Sequence, residues 1–443
     1  MRKLTILCFS LLFSVAGFSQ NKKWTLQECV QYALDNNITI KQAEVALLTT
    51  AIDKSDAEGA FVPSLNGRAT VSENTGLSFN PVTNLPQTVT TLNATGGFNV
   101  GYTLFDGLRN IRQLQRADLA KVASEFNLAK AKDDISLFVA NAFLDIILNK
   151  ENLKTIKAQN DITIQQIEQT QELVDGGVLP EGDLLEIKAT AASERQRIVA
   201  AENAVILSKI SLAQLLAVEN YQDFDVVDGD YSIFGEEIVN APVESVIEGA
   251  KENRYEIKIA EQNLEIAKKN LQISKGARYP TLSAFFGYDT RFTTNDFIDI
   301  PFDTQIYNND GINYGLSLNI PIINGFSVSN TIKRNKLNIE NNEIAVKQAK
   351  LDLESTVYQA YTAVKAAKES YEAAKVALES QKLAYEYAKL RYDVGRTNAF
   401  DFSQSKLRYD NAQIELTRSK YDYIFRIKVL ELYFGVPATE LKF

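Results

Sequence analysis

Four segments of the chain alternate hydrophobic and polar residues, which is typical of strands with one apolar and one polar face. In one of them the even-numbered positions from Tyr314 to Ile322 are all apolar, and the positions between them carry Gly, Ser, Asn and Pro. A similar alternation occurs from Phe98 to Leu104, from Ala284 to Phe292, and more weakly near residue 70. The pattern predicts two strands in each half of the chain, each pair joined by a polar loop: strands 66–80 and 96–105 with loop 81–95, and strands 281–294 and 312–322 with loop 295–311.

Two other segments, 108–175 and 327–394, contain neither Gly nor Pro. At ~1.5 Å per residue each predicts a helix of about 100 Å. A Gly-containing tip follows each segment, and a second helical segment, 183–217 or 400–433, leads back. Because apolar positions recur along all four, they predict antiparallel coiled-coil hairpins rather than single solvated helices.

The second half of the chain repeats the first at a nearly constant offset. Gly107 and Gly325 are 218 residues apart, and so are Asp183 and Asp401. This register indicates a tandem duplication of one strand-and-helix unit. The predicted organisation is a signal peptide 1–20, a first repeat 21–218, a linker or side decoration 219–240, a second repeat 241–436 and a tail 437–443. The first repeat contains helices 25–60, its two strands, helix 108–175, tip 176–182 and helix 183–217. The second repeat contains helices 242–276, its two strands, helix 327–394, tip 395–399 and helix 400–433.

The start of the chain predicts a secretory signal peptide. A basic beginning, an apolar run from Leu4 to Val15 and small residues up to Ser19 form the expected pattern. That run is too short to span a membrane as a helix, and no other stretch reaches about 18 uninterrupted apolar residues. Cleavage near Gln20 would leave Cys29 as the one cysteine, so no intrachain disulfide is expected.

Composition argues against several classes of function. The formal net charge of −9 disfavours a nucleic-acid partner, which would require a basic face. The chain has no histidine, the commonest general base and metal ligand. No phosphate-binding loop, metal-ligand cluster or nucleophile motif stands out. We therefore expect a protein that is not an enzyme and that has no cofactor and no metal site.

The amphipathic strands suit either a soluble sandwich or the wall of an outer-membrane barrel. The signal peptide and the lack of a membrane helix favour the barrel, and about ten residues is the length that a tilted membrane strand needs. Four strands cannot close, because barrels begin at about eight strands. An open sheet edge cannot lie in lipid, since its backbone groups would be unsatisfied. If these strands span a membrane, several chains must share one barrel.

The two tips carry the most specific local signals. In each, an aspartate follows a glycine by six residues, from Gly177 to Asp183 and from Gly395 to Asp401. Helix capping accounts for the glycines and for part of the role of the aspartates. In an assembly around an axis, however, the same carboxylates would form a ring that selects cations. The candidate pore-entrance residues are Asp183, Glu186, Tyr392, Arg396, Asp401 and Gln404, and the candidate docking residues at the tips are Gly177, Val178, Leu179, Gly395, Arg396 and Thr397.

A series of short motifs follows a fixed order along the chain. They are Trp24-Thr25-Leu26, Ala33-Leu34 and Asn36-Asn37 near the start, Pro63 and Pro280 before the strand pairs, Leu104-Phe105-Asp106-Gly107 and Ile322-Ile323-Asn324-Gly325 after them, and Gly177, Asp183, Arg391-Tyr392, Gly395 and Asp401 at the tips. In order and spacing this set resembles the TolC-type outer-membrane efflux and secretion proteins. The resemblance covers nearly the whole chain after the signal peptide.

The resemblance implies a mostly α-helical chain with a small membrane β part. It further implies a homotrimer whose twelve strands form one barrel in the outer membrane of a Gram-negative bacterium. Its helices would form a tunnel through the periplasm and dock onto a periplasmic adaptor (membrane fusion) protein, which links it to an inner-membrane transporter.

Carried over by position, the resemblance also assigns roles at the tips. Asp183 and Asp401 fall where acids line the constricted entrance, and Tyr392 falls where an aromatic residue joins the closing bonds. Arg396 lies one residue earlier than the arginine of some members. Gln404 stands where some members carry a second entrance acid.

The predicted function is the outer-membrane exit duct of a tripartite efflux pump or type I secretion system, which conducts substrates passively. The alternative is a secreted periplasmic coiled-coil scaffold or adaptor without channel activity. The strands distinguish the two, because in an adaptor their apolar faces would be buried inside a small soluble domain.

Overall fold

A computed structural model describes residues 23–80, 82–219, 221–229, 231–294 and 300–436. The predicted signal peptide 1–20 and the predicted tail 437–443 lie outside the described residues. The described chain forms two compact units. The first unit combines residues 23–44, 127–257 and 349–436, and the second combines residues 45–126 and 258–348.

Long helices dominate the described chain. In chain order they are α1 Leu26–Asn36, α2 Ile38–Gly59, α3 Arg109–Asp175, α4 Glu181–Leu216, α5 Val243–Asn253, α6 Tyr255–Gly276, α7 Phe302–Asn308, α8 Ser327–Asp393 and α9 Ala399–Phe434. The spans 25–60 and 242–276 are each two helices, which break at Asn37 and Arg254. Both residues have extended backbone with ψ of 134°, which ends the helical ladder. They lie 217 residues apart, so the break is duplicated with the rest of the repeat.

The strands form two sheets. Strands β1 Lys23–Trp24 and β4 Asp225–Val226 pair in parallel, while β2 Ser64–Phe79, β3 Pro86–Phe105, β5 Thr281–Thr293 and β6 Gly311–Asn319 form an antiparallel sheet in the order β2-β3-β5-β6. The four-stranded sheet belongs to the second unit. Within the described part of the chain, β2 and β6 each have a strand on one side only, so both edges of this sheet are open.

Three sequence-based expectations about the strands were wrong. The strand predicted at 96–105 begins ten residues earlier, at Pro86, because its polar first half pairs with β2 through contacts such as the 2.9 Å bond between the hydroxyls of Thr75 and Thr90. The loop predicted at 295–311 contains helix α7. The strand predicted at 312–322 ends at Asn319, shortly before Pro321, whose nitrogen cannot donate to a ladder.

The strand register joins the apolar positions of all four strands into one face. Partners across an antiparallel ladder point to the same side, and Leu316 pairs with Ala284, which pairs with Tyr102. The same rule places these residues on that face: Leu65, Val71, Phe98, Val100, Phe286, Tyr288, Ile312, Tyr314 and Leu318. Most of them are exposed in the single chain. The opposite face carries mainly polar and small residues, such as Asn99, Gly287 and Asn313, together with Phe285 and Val89.

The core of the first unit is duplicated, like the sequence. One cluster of buried residues joins α1, α3 and α4, and includes Ala33, Phe143 and Leu212. A second cluster joins α5, α8 and α9 in the same way, and includes Ala250 and Val357. Each repeat therefore builds a core from the equivalent three helices.

The segment predicted as a linker or side decoration, 219–240, is an integral part of this core. Phe224 and Val226 are buried in the first cluster, and β4 pairs with β1. Its acidic residues are neutralised by lysines: Asp225 lies 2.8 Å from the ammonium groups of both Lys150 and Lys209. Burial raises the pKa of Asp225, but these hydrogen bonds and charges outweigh burial and hold the pKa below its usual range. The acidity of this segment is thus balanced by half-buried ion pairs with lysines of α3 and α4.

One described helix, α4, is long and apolar enough by composition to cross a membrane, with a mean hydropathy of 1.4 over 18 residues. Two of its charged residues are paired within the first unit, since Glu202 lies 2.7 Å from Lys157 and Lys209 lies 2.8 Å from Asp225. Its last turn is buried in the core through Leu212 and Leu216. We therefore interpret α4 as a packed coiled-coil helix.

Candidate functional site: the hairpin tips

Both hairpin tips begin with the same helix C-cap. After α3, the Gly177 N–H donates to the Val174 carbonyl at 2.9 Å and the Val178 N–H donates to the Leu173 carbonyl at 2.8 Å. After α8, the same two bonds join Gly395 to Tyr392 and Arg396 to Arg391, both at 2.8 Å. This is the Schellman motif, which requires a left-handed residue. Gly177 and Gly395 supply it with φ of 71° and 67°.

The returning helices begin differently in the two repeats. At α9 the Asn398 side chain accepts a 2.8 Å bond from the Asp401 N–H, and an Asp401 carboxylate oxygen accepts from the Thr397 hydroxyl at 3.4 Å. At α4 the Pro180 carbonyl accepts from the Asp183 N–H at 3.0 Å. Asp183 is half-buried and Asp401 is exposed. Both acids lie in a first helical turn, where the helix dipole stabilises negative charge, so capping accounts for part of their role.

Tyr392 lies inside an apolar cluster at the tips, and only 2% of it is exposed. Its ring stacks on Phe402 with centroids 5.1 Å apart, and Ile187 and Ala399 complete the cluster. Its hydroxyl lies 3.1 Å from the hydroxyl of Thr170 on α3. Tyr392 thus ties the second hairpin to the first within one chain.

The environment of Tyr392 keeps its hydroxyl protonated. Burial raises its pKa, the hydrogen bond with Thr170 lowers it, and the nearby Asp183 carboxylate raises it; the net direction is upward. The bond to Thr170 is therefore between two neutral groups over the physiological pH range.

The other predicted residues fall in two places. Glu186 and Gln404 line one cavity of about 260 Å³ between α4 and α9. Val178, Gly395 and Arg396 are exposed at the tips, and Thr397 is half-buried. Leu179, predicted for docking, is half-buried against the Tyr392 cluster. Its position makes it a packing residue of the tip.

A buried cluster of charged residues next to this site was not predicted from the sequence. Lys406 of α9 is 3% exposed, and its ammonium lies 2.8 Å from both Glu194 of α4 and Asp410 of α9. The i,i+4 spacing of Lys406 and Asp410 was visible, but such pairs usually lie on solvated helix faces. The third member of the cluster, Glu194, is 212 residues from Lys406 in sequence, so no local pattern pointed to it.

Among the described residues, no group of three or more His, Cys, Asp or Glu side chains is placed to hold a metal ion. The absence of a cofactor stays a prediction.

The family model described as "Outer membrane efflux protein" matches residues 29–218 and again residues 246–435. The chain belongs to the outer membrane efflux protein family. Both ends of the two matches differ by 217 residues, so each half of this efflux protein carries one copy of the family unit. The predicted family resemblance and the tandem duplication are confirmed.

Individual relatives of this efflux protein are distant. It is 22% identical over 419 residues to the outer membrane protein TolC of Vibrio cholerae, which covers 90% of each chain. It is 23% identical over 352 residues to protein CyaE of Bordetella pertussis, which covers 77% of this chain and 69% of that one. The CmeC outer membrane channel of Campylobacter jejuni has the same fold, with a TM-score of 0.80 at 18% identity over 94% of this chain and 86% of that one. The family and the fold are those of outer-membrane channels, which confirms the predicted location.

Proposed function

We propose that this efflux protein is the passive exit duct of a tripartite efflux pump or type I secretion system. Three copies pool their strands into one twelve-stranded barrel, and their helical hairpins form a tunnel from the barrel into the periplasm. The observation that carries the proposal is the four-stranded sheet, which has one continuous apolar face and two open edges. Such a face suits lipid, and such edges need partners.

The open edges determine how copies associate. Lipid offers no hydrogen bonds to the free edges of β2 and β6, so β6 of one copy must pair with β2 of the next. Two copies would give eight strands, a barrel whose interior is filled by side chains. Three copies give twelve strands and room for a passage. The family resemblance implies the same number.

Exposed apolar stripes on the helices also support association of copies at the contact between β6 of one copy and β2 of the next. Leu337 and Ile344 of α8 are seven residues apart and more than 60% exposed, and the stripe continues at the same spacing through Leu351 and Tyr358. Helix α2 carries a second stripe at Val45, Leu48 and Ile52. Such spacing is that of a coiled-coil seam. Because α2 leads directly into β2 and α8 follows β6, pairing of those edges brings the two stripes together across the contact between copies.

Reconstitution of the purified protein into planar bilayers tests this function. We expect discrete single-channel events, and an outer-membrane oligomer whose mobility changes on heating. The scaffold or adaptor alternative predicts a soluble periplasmic protein that gives no channel. A stable water-soluble monomer without conductance would contradict the exit duct.

The tips are proposed as the periplasmic entrance and its docking surface. Around a threefold axis, Asp183 and Asp401 would give six carboxylates at one end of the tunnel, with Glu186, Gln404 and Arg396 nearby. The compact turns at Gly177-Val178 and Gly395-Arg396-Thr397 would contact the periplasmic adaptor, and through it an inner-membrane transporter. This docking role is supported by the position of the two turns at the ends of the hairpins and by the exposure of Val178.

Neutralising the tip acids should weaken block of the channel by divalent cations. In the double variant Asp183→Asn and Asp401→Asn, we expect the half-blocking concentration of a divalent cation to rise by roughly tenfold, which corresponds to ~1.4 kcal/mol. The measurement is single-channel current against added Mg²⁺. Asp303→Asn, an acid in the first turn of α7, is the matched control and should leave the block unchanged. If Mg²⁺ blocks the double variant as strongly as the wild-type channel, these aspartates do not form a cation-binding ring at the entrance.

A further inference from the structure

Next to the apolar tip cluster, the first unit contains a buried group of three charges. The Lys406 ammonium contacts Glu194 Oε1 and Asp410 Oδ2, both at 2.8 Å. Each of the three residues is at most 4% exposed. Burial raises the pKa of Asp410, while the attraction of Lys406 acts in the opposite direction. Removal of the lysine would leave two buried carboxylates without their counter-ion.

Side chains of α3 complete the coordination of this charged triad, Lys406-Glu194-Asp410. Glu194 accepts hydrogen bonds from the Thr163 hydroxyl at 2.9 Å and from the Asn160 amide at 3.2 Å. The Gln159 amide donates to the Asp410 carbonyl at 3.4 Å. The triad therefore joins α3, α4 and α9, which come from both hairpins.

Helix α8 reaches the same level. Tyr385 of α8 stacks on Tyr409 of α9 with centroids 5.2 Å apart and an angle of 7° between the rings. Burial raises the pKa of Tyr385, and the Asp410 carboxylate adds to this effect. Arg197 of α4 is the further cation that acts on Asp410. All four long helices thus meet at one charged layer.

The tip cluster and the charged triad differ in the interactions that hold their helices together. The tip cluster is held by ring stacking and one neutral hydrogen bond between Tyr392 and Thr170. Between helices, the charged triad is held by the 2.8 Å ion pair of Lys406 with Glu194 and by the hydrogen bonds of Glu194 and Asp410 to α3, while the Lys406–Asp410 pair lies within α9. Hydrogen bonds with a charged partner are roughly twice as strong as neutral ones, and the triad makes several of them between helices, whereas the tip cluster has one neutral hydrogen bond. The triad therefore resists opening more strongly than the tip.

We propose that Lys406, Glu194 and Asp410 are positioning residues that form the fixed end of the gate. When the entrance widens, the helices part between the tips and this layer, and they stay together beyond it. The triad lies seven residues into α9, so the movable part is about 10 Å long on that helix at ~1.5 Å per residue. This inference rests on the proposed duct function.

Hydrogen exchange on the wild-type oligomer tests the position of the fixed end. The α3 side chains that contact the triad belong to residues 159–163, so we expect the exchange rate of the α3 amides to change abruptly there. Amides 164–173, on the tip side, should exchange at least roughly tenfold faster than amides 148–157. A gradual change without a step at the triad would overturn the inference.

Variants test whether the triad causes that step. Lys406→Met leaves two buried carboxylates unpaired and is the strongest perturbation. The neutral variant Lys406→Met with Glu194→Gln and Asp410→Asn keeps similar shapes without buried charge. In the neutral variant we expect channel conductance to rise by about twofold or more and the exchange step to move beyond residue 157. The matched control is Arg426→Met, which removes an exposed i,i+4 pair with Asp422 on the same helix and should change neither quantity.

The outcomes separate this inference from the proposed function. Trimers of the neutral variant with wild-type conductance or an unmoved step would overturn the role of the triad, because a purely structural contact would alter only thermal stability. If neither variant assembles, the wild-type exchange pattern decides. If the wild-type protein forms no channel, the duct function fails, and the exchange step still tests whether the triad is a fixed point.

Discussion

An arginine in place of Leu316 should abolish assembly of this protein in the outer membrane, whereas an arginine in place of its neighbour Ser317 should be tolerated. Leu316 lies on the apolar face of β6 and is 67% exposed in the single chain. Ser317 points to the opposite, polar face, because successive strand residues alternate. An arginine on the lipid face of a barrel costs about 2–4 kcal/mol near the middle of the bilayer, and a trimer would contain three.

The measurement is the amount of heat-modifiable oligomer in the outer-membrane fraction. Because of the cost of placing arginine in lipid, we expect the amount of oligomer to fall by more than about tenfold for Leu316→Arg. For Ser317→Arg we expect little change. The pair is matched in position, strand and substituted residue. If both variants assemble equally well, the apolar face does not meet lipid, and the sheet belongs to a soluble assembly instead.

Truncating Tyr392 should open the tip, whereas removing only its hydroxyl should loosen it slightly. Tyr392→Ala deletes a buried ring that stacks on Phe402, and such changes cost about 3–5 kcal/mol. Tyr392→Phe keeps the ring and loses one neutral hydrogen bond to Thr170, which is worth about 1 kcal/mol. We therefore expect a large rise in conductance for the alanine variant and a small one for the phenylalanine variant.

Thr170→Val serves as the control from the other side of this bond. It removes the same hydrogen bond as Tyr392→Phe, so the two variants should have the same conductance, and their combination should add nothing further. If Tyr392→Ala leaves the conductance at the wild-type value, the Tyr392 cluster is not a closing contact. That result would leave the charged layer at Lys406 as the constraint to examine.

Repetition and alternation made much of this chain predictable. The 218-residue spacing of Gly107 and Gly325 marked the duplication, which the two matches to the family model confirm. The alternation from Tyr314 to Leu318 correctly placed the apolar residues of β6 on one face. Gly177 and Gly395 were correctly located as turns, because a left-handed C-cap has a strong sequence preference.

Errors arose where pairing in space outweighed local pattern. The first half of β3 looked like a loop because threonine and glutamine are polar, yet it forms a ladder with β2 along its whole length. The segment 219–240 was predicted as a linker or side decoration because it is acidic, aromatic and irregular, but lysines from α3 and α4 neutralise Asp225. In both cases the polarity of the segment indicated exposure to solvent, and the pairing partners that offset it, strand β2 and the lysines, lie outside the segment itself.

The amino-acid sequence by itself determined the duplicated architecture, the amphipathic strands and the two tips, since each depends on periodicity or on residues close together in the chain. Only the tertiary structure decided that Tyr392 faces Thr170 and that Lys406 lies between Glu194 and Asp410. The contacts of Tyr392 with Thr170 and of Lys406 with Glu194 join residues more than 200 positions apart on helices with many similar charged and aromatic side chains. Which of those side chains become buried partners depends on how the helices pack against one another, and periodicity does not specify it.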